Sequence, residues 1–180
     1  MYFVPYFMPN PNGNVTFNHQ ISPYDYWYPT VQNDYRTPTL RLRDYGPNPF
    51  TINIKNAARR NRNYRTALWT GNHLQVTLMS LNPGEDIGLE IHPDVDQFLR
   101  IEQGKGIVRM GKRKDRLDFE RRVNENTAIF VPAGTWHNVI NTGNVPLKLY
   151  SIYAPPHHPH GTVHRTKQEA MVEERMQYWY

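Results

Sequence analysis

The sequence predicts an all-β jelly-roll barrel, with an extended arm before it and one short helix after it. Three observations carry this. Residues 66–155 break into short β-rich runs separated by turn residues, the punctuation of an antiparallel sandwich or jelly roll. Residues 1–50 hold eight of the 15 prolines and show little apolar periodicity. Thr166-Lys-Gln-Glu169 has the Thr-x-x-Glu form of a helix start, and Ala170–Gln177 has helical composition.

The chain therefore divides into an extended Pro/Tyr/Asn-rich arm (1–65), a barrel (66–155) and a His-rich loop with a C-terminal helix (156–180). In the arm, Tyr24-Asp-Tyr26-Trp27-Tyr28-Pro29 is too aromatic for a plain solvent tail. Burial on a barrel, its own or that of a second copy, is its natural destination. The expected assembly is a homodimer in which the arm packs across the partner barrel.

Within the barrel, Leu74–Leu81 is a strand, turned by Asn82-Pro-Gly84. Ile87–His92 is a second, and Pro93-Asp94 turns it into a third near Gln97–Gln103. Gly104-Lys-Gly106 leads to Ile107–Met110, and Lys112-Arg-Lys114-Asp115 is a hairpin tip with Arg116–Arg122 as its return. Thr127–Val131 runs into the Pro132–Gly134 turn, His137–Asn141 is brief, and Pro146–Tyr153 closes the barrel.

Composition removes several function classes. There is no cysteine, so disulfides, thiol chemistry and Cys-ligated zinc are excluded. No apolar run spans a membrane, and Met1-Tyr-Phe-Val-Pro-Tyr6 lacks the regions of a signal peptide, so a cytoplasmic protein is expected. The net charge is +5, with basic residues clustered in Lys55–Arg65. That run reads as a solvated linker. Nucleic acid ranks last among partners, because a charge count carries no groove-reading geometry.

Two segments carry chemistry. The first contains Gly84, Glu90, His92, Gln97 and Gly104; the second contains Asn126, Pro132, Gly134, His137 and Asn141. Their spacing resembles the two motifs of the cupin superfamily. Glu90 stands where the family's first His is found, Gln97 where its Glu is found, and Asn126 where the second motif's leading Gly is found. Asn is the next-best residue for a left-handed turn. The resemblance implies a cupin barrel (a double-stranded β-helix) with Glu90, His92, Gln97 and His137 as ligands of one divalent metal ion. Strand alternation supports part of this, since Glu90 and His92 project to one face. The rest of the set comes with the resemblance. Two His, one carboxylate and a weak amide oxygen favour Zn, Fe(II) or Mn(II) over copper. The set also resembles, in permuted positions, that of zinc-dependent phosphomannose isomerases.

The expected function is a metal-dependent enzyme, isomerase-like or dioxygenase-like, on a sugar, sugar phosphate or small carbonyl compound. Two alternatives stand beside it. One is a non-catalytic small-molecule-binding cupin, betrayed by binding without turnover. The other is a structural assembly protein, since the arm loosely resembles spore-coat chains; assembly lost with the arm would mark it. His157, His158, His160 and His164 read as a wet loop near the rim, with a lid over the pocket or adventitious metal uptake as the alternatives. Trp136 and Phe130 read as core rather than pocket wall.

Overall fold

The computed structural model describes residues 41–177, with side chains through residue 173. The expectations for the aromatic arm fall mostly on residues 1–40 and lie outside the described residues. The architecture is the expected all-β one. A six-stranded sheet in the order β6-β3-β8-β2-β1-β9 faces a three-stranded sheet in the order β5-β4-β7. The strands are β1 (Arg65–Thr70), β2 (Gln75–Leu81), β3 (Asp96–Gln103), β4 (Lys105–Gly111), β5 (Phe119–Asn124), β6 (Ala128–Val131), β7 (Trp136–Asn141), β8 (Leu147–Ala154) and β9 (Val163–His164). Every pairing is antiparallel.

Alternation along each strand builds the core. Met79, Leu81, Leu99, Ile101, Leu147 and Leu149 of the large sheet meet Val108, Val123 and Val139 of the small one. Burial of each such side chain contributes about 1.5–3 kcal/mol. The intervening residue Leu78 faces outward and packs under a short helix, α1 (Ile54–Arg60), against Ala57 and Ala58, which are 0 % exposed.

Helix α1 corrects the reading of Lys55–Arg65 as a solvated linker. Asn53 caps it, its side chain accepting from the Asn56 amide at 3.0 Å. Its basic residues are engaged: Lys55 and Arg59 pair with Glu125, and the Arg59 Nε donates to the Glu102 carbonyl at 3.0 Å. At its C-terminal end the buried Lys148 ammonium donates to the Asn61 carbonyl at 2.5 Å and to Ser80 Oγ at 2.8 Å. A cation there also suits the helix dipole. The small Ala57-Ala58 pair, which lets the helix lie close to the sheet, was the sequence signal for this packing.

Three further differences have local causes. Ile87–His92 is not a continuous strand. It runs beside β7 through two isolated bridges, Asp86 to Ile140 and Glu90 to His137. Gly88, at φ +89°, breaks the ladder between them and shifts the register by one residue. The hairpin after β4 bridges Arg113 to Arg116, so its return strand begins only at Phe119. The tail contributes β9, which pairs with β1 and is too short to leave a pattern. Helix α2 (Lys167–Gln177) starts as expected: Thr166 Oγ1 accepts from the Glu169 amide, and the Glu169 carboxylate accepts from the Arg165 amide at 2.6 Å. Asn126 stands at φ +70°, the left-handed turn expected of it.

Candidate metal centre

The two motif segments are stitched together at the barrel mouth. The Gly134 amide donates to the His92 carbonyl at 2.8 Å, and the Ala133 amide donates to the Asp96 carboxylate at 2.8 Å. Asp96 is thus a turn-holding residue. Beyond Gly88, Glu90 and His137 exchange backbone hydrogen bonds in both directions, so their side chains share a face.

Glu90, His92 and His137 converge. Each offers a ligand atom, and these atoms lie within 4.8 Å of one another. Glu90 Oε1 is 3.2 Å from His137 Nε2 and 3.4 Å from His92 Nε2. His137 is fully buried, His92 is 5 % exposed, and Glu90 keeps 18 % of its side-chain surface. Burial by itself would raise the Glu90 carboxyl. Hydrogen bonds and charge from His137 and His92 outweigh it and hold the group well below the ordinary carboxylate range.

The tautomer of His137 narrows what can lie between it and Glu90. Its Nδ1 lies 2.9 Å from the Thr135 carbonyl. A carbonyl only accepts, so Nδ1 carries the proton. A neutral His137 then presents the Nε2 lone pair to a carboxylate oxygen, which is repulsive. A cation between them, either a proton or a metal ion, removes the conflict. An imidazole that donates its other N–H to a backbone carbonyl is also the usual outer-shell arrangement of a metal-binding histidine. His92 fits as well: its ring is buried, its Nδ1 has no hydrogen-bond partner, and its Nε2 faces the Glu90 carboxylate at 3.4 Å.

Gln97 sits on β3 opposite Val131 and Tyr153, both in the interior. It is 3 % exposed, and neither amide atom has a hydrogen bond. Its side chain is therefore on the inner face, beside the Tyr153 ring that packs edge-on against His92 at 5.7 Å. Burial pushes the Tyr153 phenol up to about 12, Glu90 adding to the rise while Arg65, Ser151 and Thr77 oppose it.

The histidine-rich tail does not act as one group. His157 lies against the site, its ring centroid 4.1 Å from that of His92, and its neighbour His158 packs on Tyr153 at 5.1 Å. Burial lowers the pKa of both. His160 is exposed and points to Asp44, while His164 is buried in β9 and bonded to Glu173 at 2.7 Å. A signal for His157 existed: it follows an inward-facing Tyr153 by four residues, in a proline-stiffened loop. Phe130 is not core; it is 69 % exposed on the outer face of the large sheet. Trp136 is half-buried under Lys114.

The two-sheet antiparallel barrel agrees with the cupin domain family, whose model matches residues 77–153. The chain belongs to the cupin superfamily. It is 67 % identical over 144 residues to the protein YrkC of Bacillus subtilis (strain 168), spanning 80 % of this chain and 77 % of YrkC. It is 45 % identical over 115 residues to L612 of Acanthamoeba polyphaga mimivirus, spanning 63 % of this chain and 70 % of L612. The crystal structure of BH2720 from Bacillus halodurans superposes with a TM-score of 0.72 at 66 % identity, covering 73 % of this chain and 99 % of that one. Among the described residues, no helix is long and apolar enough to cross a membrane.

Proposed function

We propose that this cupin is a metal-dependent enzyme whose substrate is an oxygen-bearing small molecule: a sugar, a sugar phosphate or a small carbonyl compound. Glu90, His92 and His137 hold one divalent ion, with Gln97 as a weaker fourth ligand. The observation that carries the reading is the convergence of Glu90, His92 and His137, whose ligand atoms lie within 4.8 Å of one another, with Thr135 turning His137 Nε2 toward the carboxylate.

The chain's own residues have clear parts. Glu90 supplies the one negative charge of the ligand set, and its burial keeps that charge unscreened. Thr135 orients His137. The Gln97 amide offers an oxygen that no other group claims. Zn(II), Fe(II) or Mn(II) suits two imidazoles, a carboxylate and an amide oxygen. Such an ion, when bound, polarises a carbonyl or activates dioxygen, the chemistry of the isomerase-like and dioxygenase-like reactions respectively.

Elemental analysis of protein purified without a histidine tag tests the reading. About one equivalent of a divalent transition metal is expected. Protein that stays metal-free after incubation with zinc, iron(II) and manganese(II) in turn overturns it. A homodimer and a cytoplasmic location belong to the same proposal; a monomeric mass by light scattering removes the dimer.

A further inference from the structure

His157 lies outside the segment matched to the cupin family and outside the ligand set above. Its ring centroid nevertheless lies 4.1 Å from that of His92, tilted by 58°, and 5.7 Å from that of Tyr153. His157 is exposed to solvent, whereas His92 and His137, against which it lies, are buried. The ring is therefore interposed between solvent and the site.

Its position is held by a continuous hydrogen-bond network. The His157 and His158 amides both donate to Gln75 Oε1, at 3.3 and 2.9 Å. Gln75 Nε2 donates to the His158 carbonyl at 2.8 Å and to Thr70 Oγ1 at 2.9 Å. Thr70 donates to Asp44 Oδ2 at 2.6 Å, and the same oxygen accepts from the Gly161 amide at 3.0 Å. One fully buried glutamine and one carboxylate thus fix both ends of the loop. The two rings pack on each other at 4.8 Å, so His158 backs His157.

A loop meant only to cover apolar surface has no need of an imidazole at this point. His157 does not belong to the 4.8 Å cluster of Glu90, His92 and His137, but an imidazole beside it brings a nitrogen that can hydrogen-bond a ligand atom on the ion. We propose that His157 is a further residue of the metal centre, covering the ion from the solvent side, and that the Gln75–Thr70–Asp44 network holds it there. The assignment rests on the metal reading above. It implies that an oxygen-bearing ligand reaches the ion by displacing this ring.

Cobalt(II) loading of the full chain tests it. The readouts are the visible absorption of the bound ion and its rate of removal by a chelator. His157→Ala is expected to speed removal on the order of tenfold and to change the absorption. Asp44→Asn touches no ligand and is expected to speed removal with one ion still bound. His157→Phe restores cover without nitrogen, so slow removal should return while the altered absorption persists. Wild-type absorption and removal rate in His157→Ala overturn the assignment while leaving the three-residue site intact. A wild-type protein that takes up no cobalt overturns the metal reading, and the role of His157 with it.

Discussion

Glu90 and His137 are joined twice. Their backbones exchange hydrogen bonds of 2.9 and 3.1 Å, and Glu90 Oε1 stands 3.2 Å from His137 Nε2. The backbone pair belongs to the barrel wall, so the side-chain pair inherits its rigidity. Preorganisation of this kind sets a ligand geometry before any ion arrives.

The ligands should differ in weight. His92→Ala and His137→Ala are expected to lower metal content far more than Gln97→Ala, because imidazole is a stronger donor to transition metals than a neutral amide. Mass spectrometry of the purified variants measures this. Equal loss across all three contradicts Gln97 as the weak ligand.

Gly88→Ala should loosen the site indirectly. A Cβ at Gly88 meets nothing within 4 Å, so the cost is purely conformational. At φ +89° it should amount to about 1–2 kcal/mol in urea denaturation, with a smaller loss for Gly88→Asn. Metal affinity should fall with it, since Gly88 sets the register of Glu90.

Lys148→Met should destabilise the protein by about 1–3 kcal/mol, because Asn61 and Ser80 lose a buried donor. Burial, aided by the Arg62 charge, lowers the pKa of this amine. Metal content should be unchanged, as Lys148 lies on the outer face of the sheet. A metal deficit in folded Lys148→Met is the result that breaks this separation.

Asp44 predicts an acid-sensitive attachment. Burial opposes its ionisation, but hydrogen bonds from Thr70, Gly161 and Gly46, with His160 nearby, more than compensate and lower its pKa. A carboxylate depressed on folding stabilises above its unfolded pKa, about 3.9, and loses that contribution as the pH falls through the folded value. The stability gap between wild type and Asp44→Asn should therefore shrink as the pH falls below about 4. A gap that widens below that pH contradicts the sign.

The barrel and the two-motif frame were legible because strand alternation and turn residues are local. Asn126 at φ +70° and the Thr166–Glu169 helix start both follow from neighbours in sequence. The strand expected at Ile87–His92 failed because its apolar residues imitate a strand while Gly88 bends it. The role proposed for His157 was only half legible. Its spacing from Tyr153 can point it at the site, but what holds it is Gln75, 82 positions away, and nothing local in a buried glutamine announces that.

The residues proposed to hold the ion come from β3, β7 and the run before β3, whereas His157 comes from the chain after β8. The proposed ligand set can stay constant while the seven-residue span from Pro155 to Gly161 is rewritten, because its supports at Gln75 and Asp44 hold mainly backbone atoms rather than particular side chains. The rim of this barrel can thus be altered without disturbing the residues beneath it.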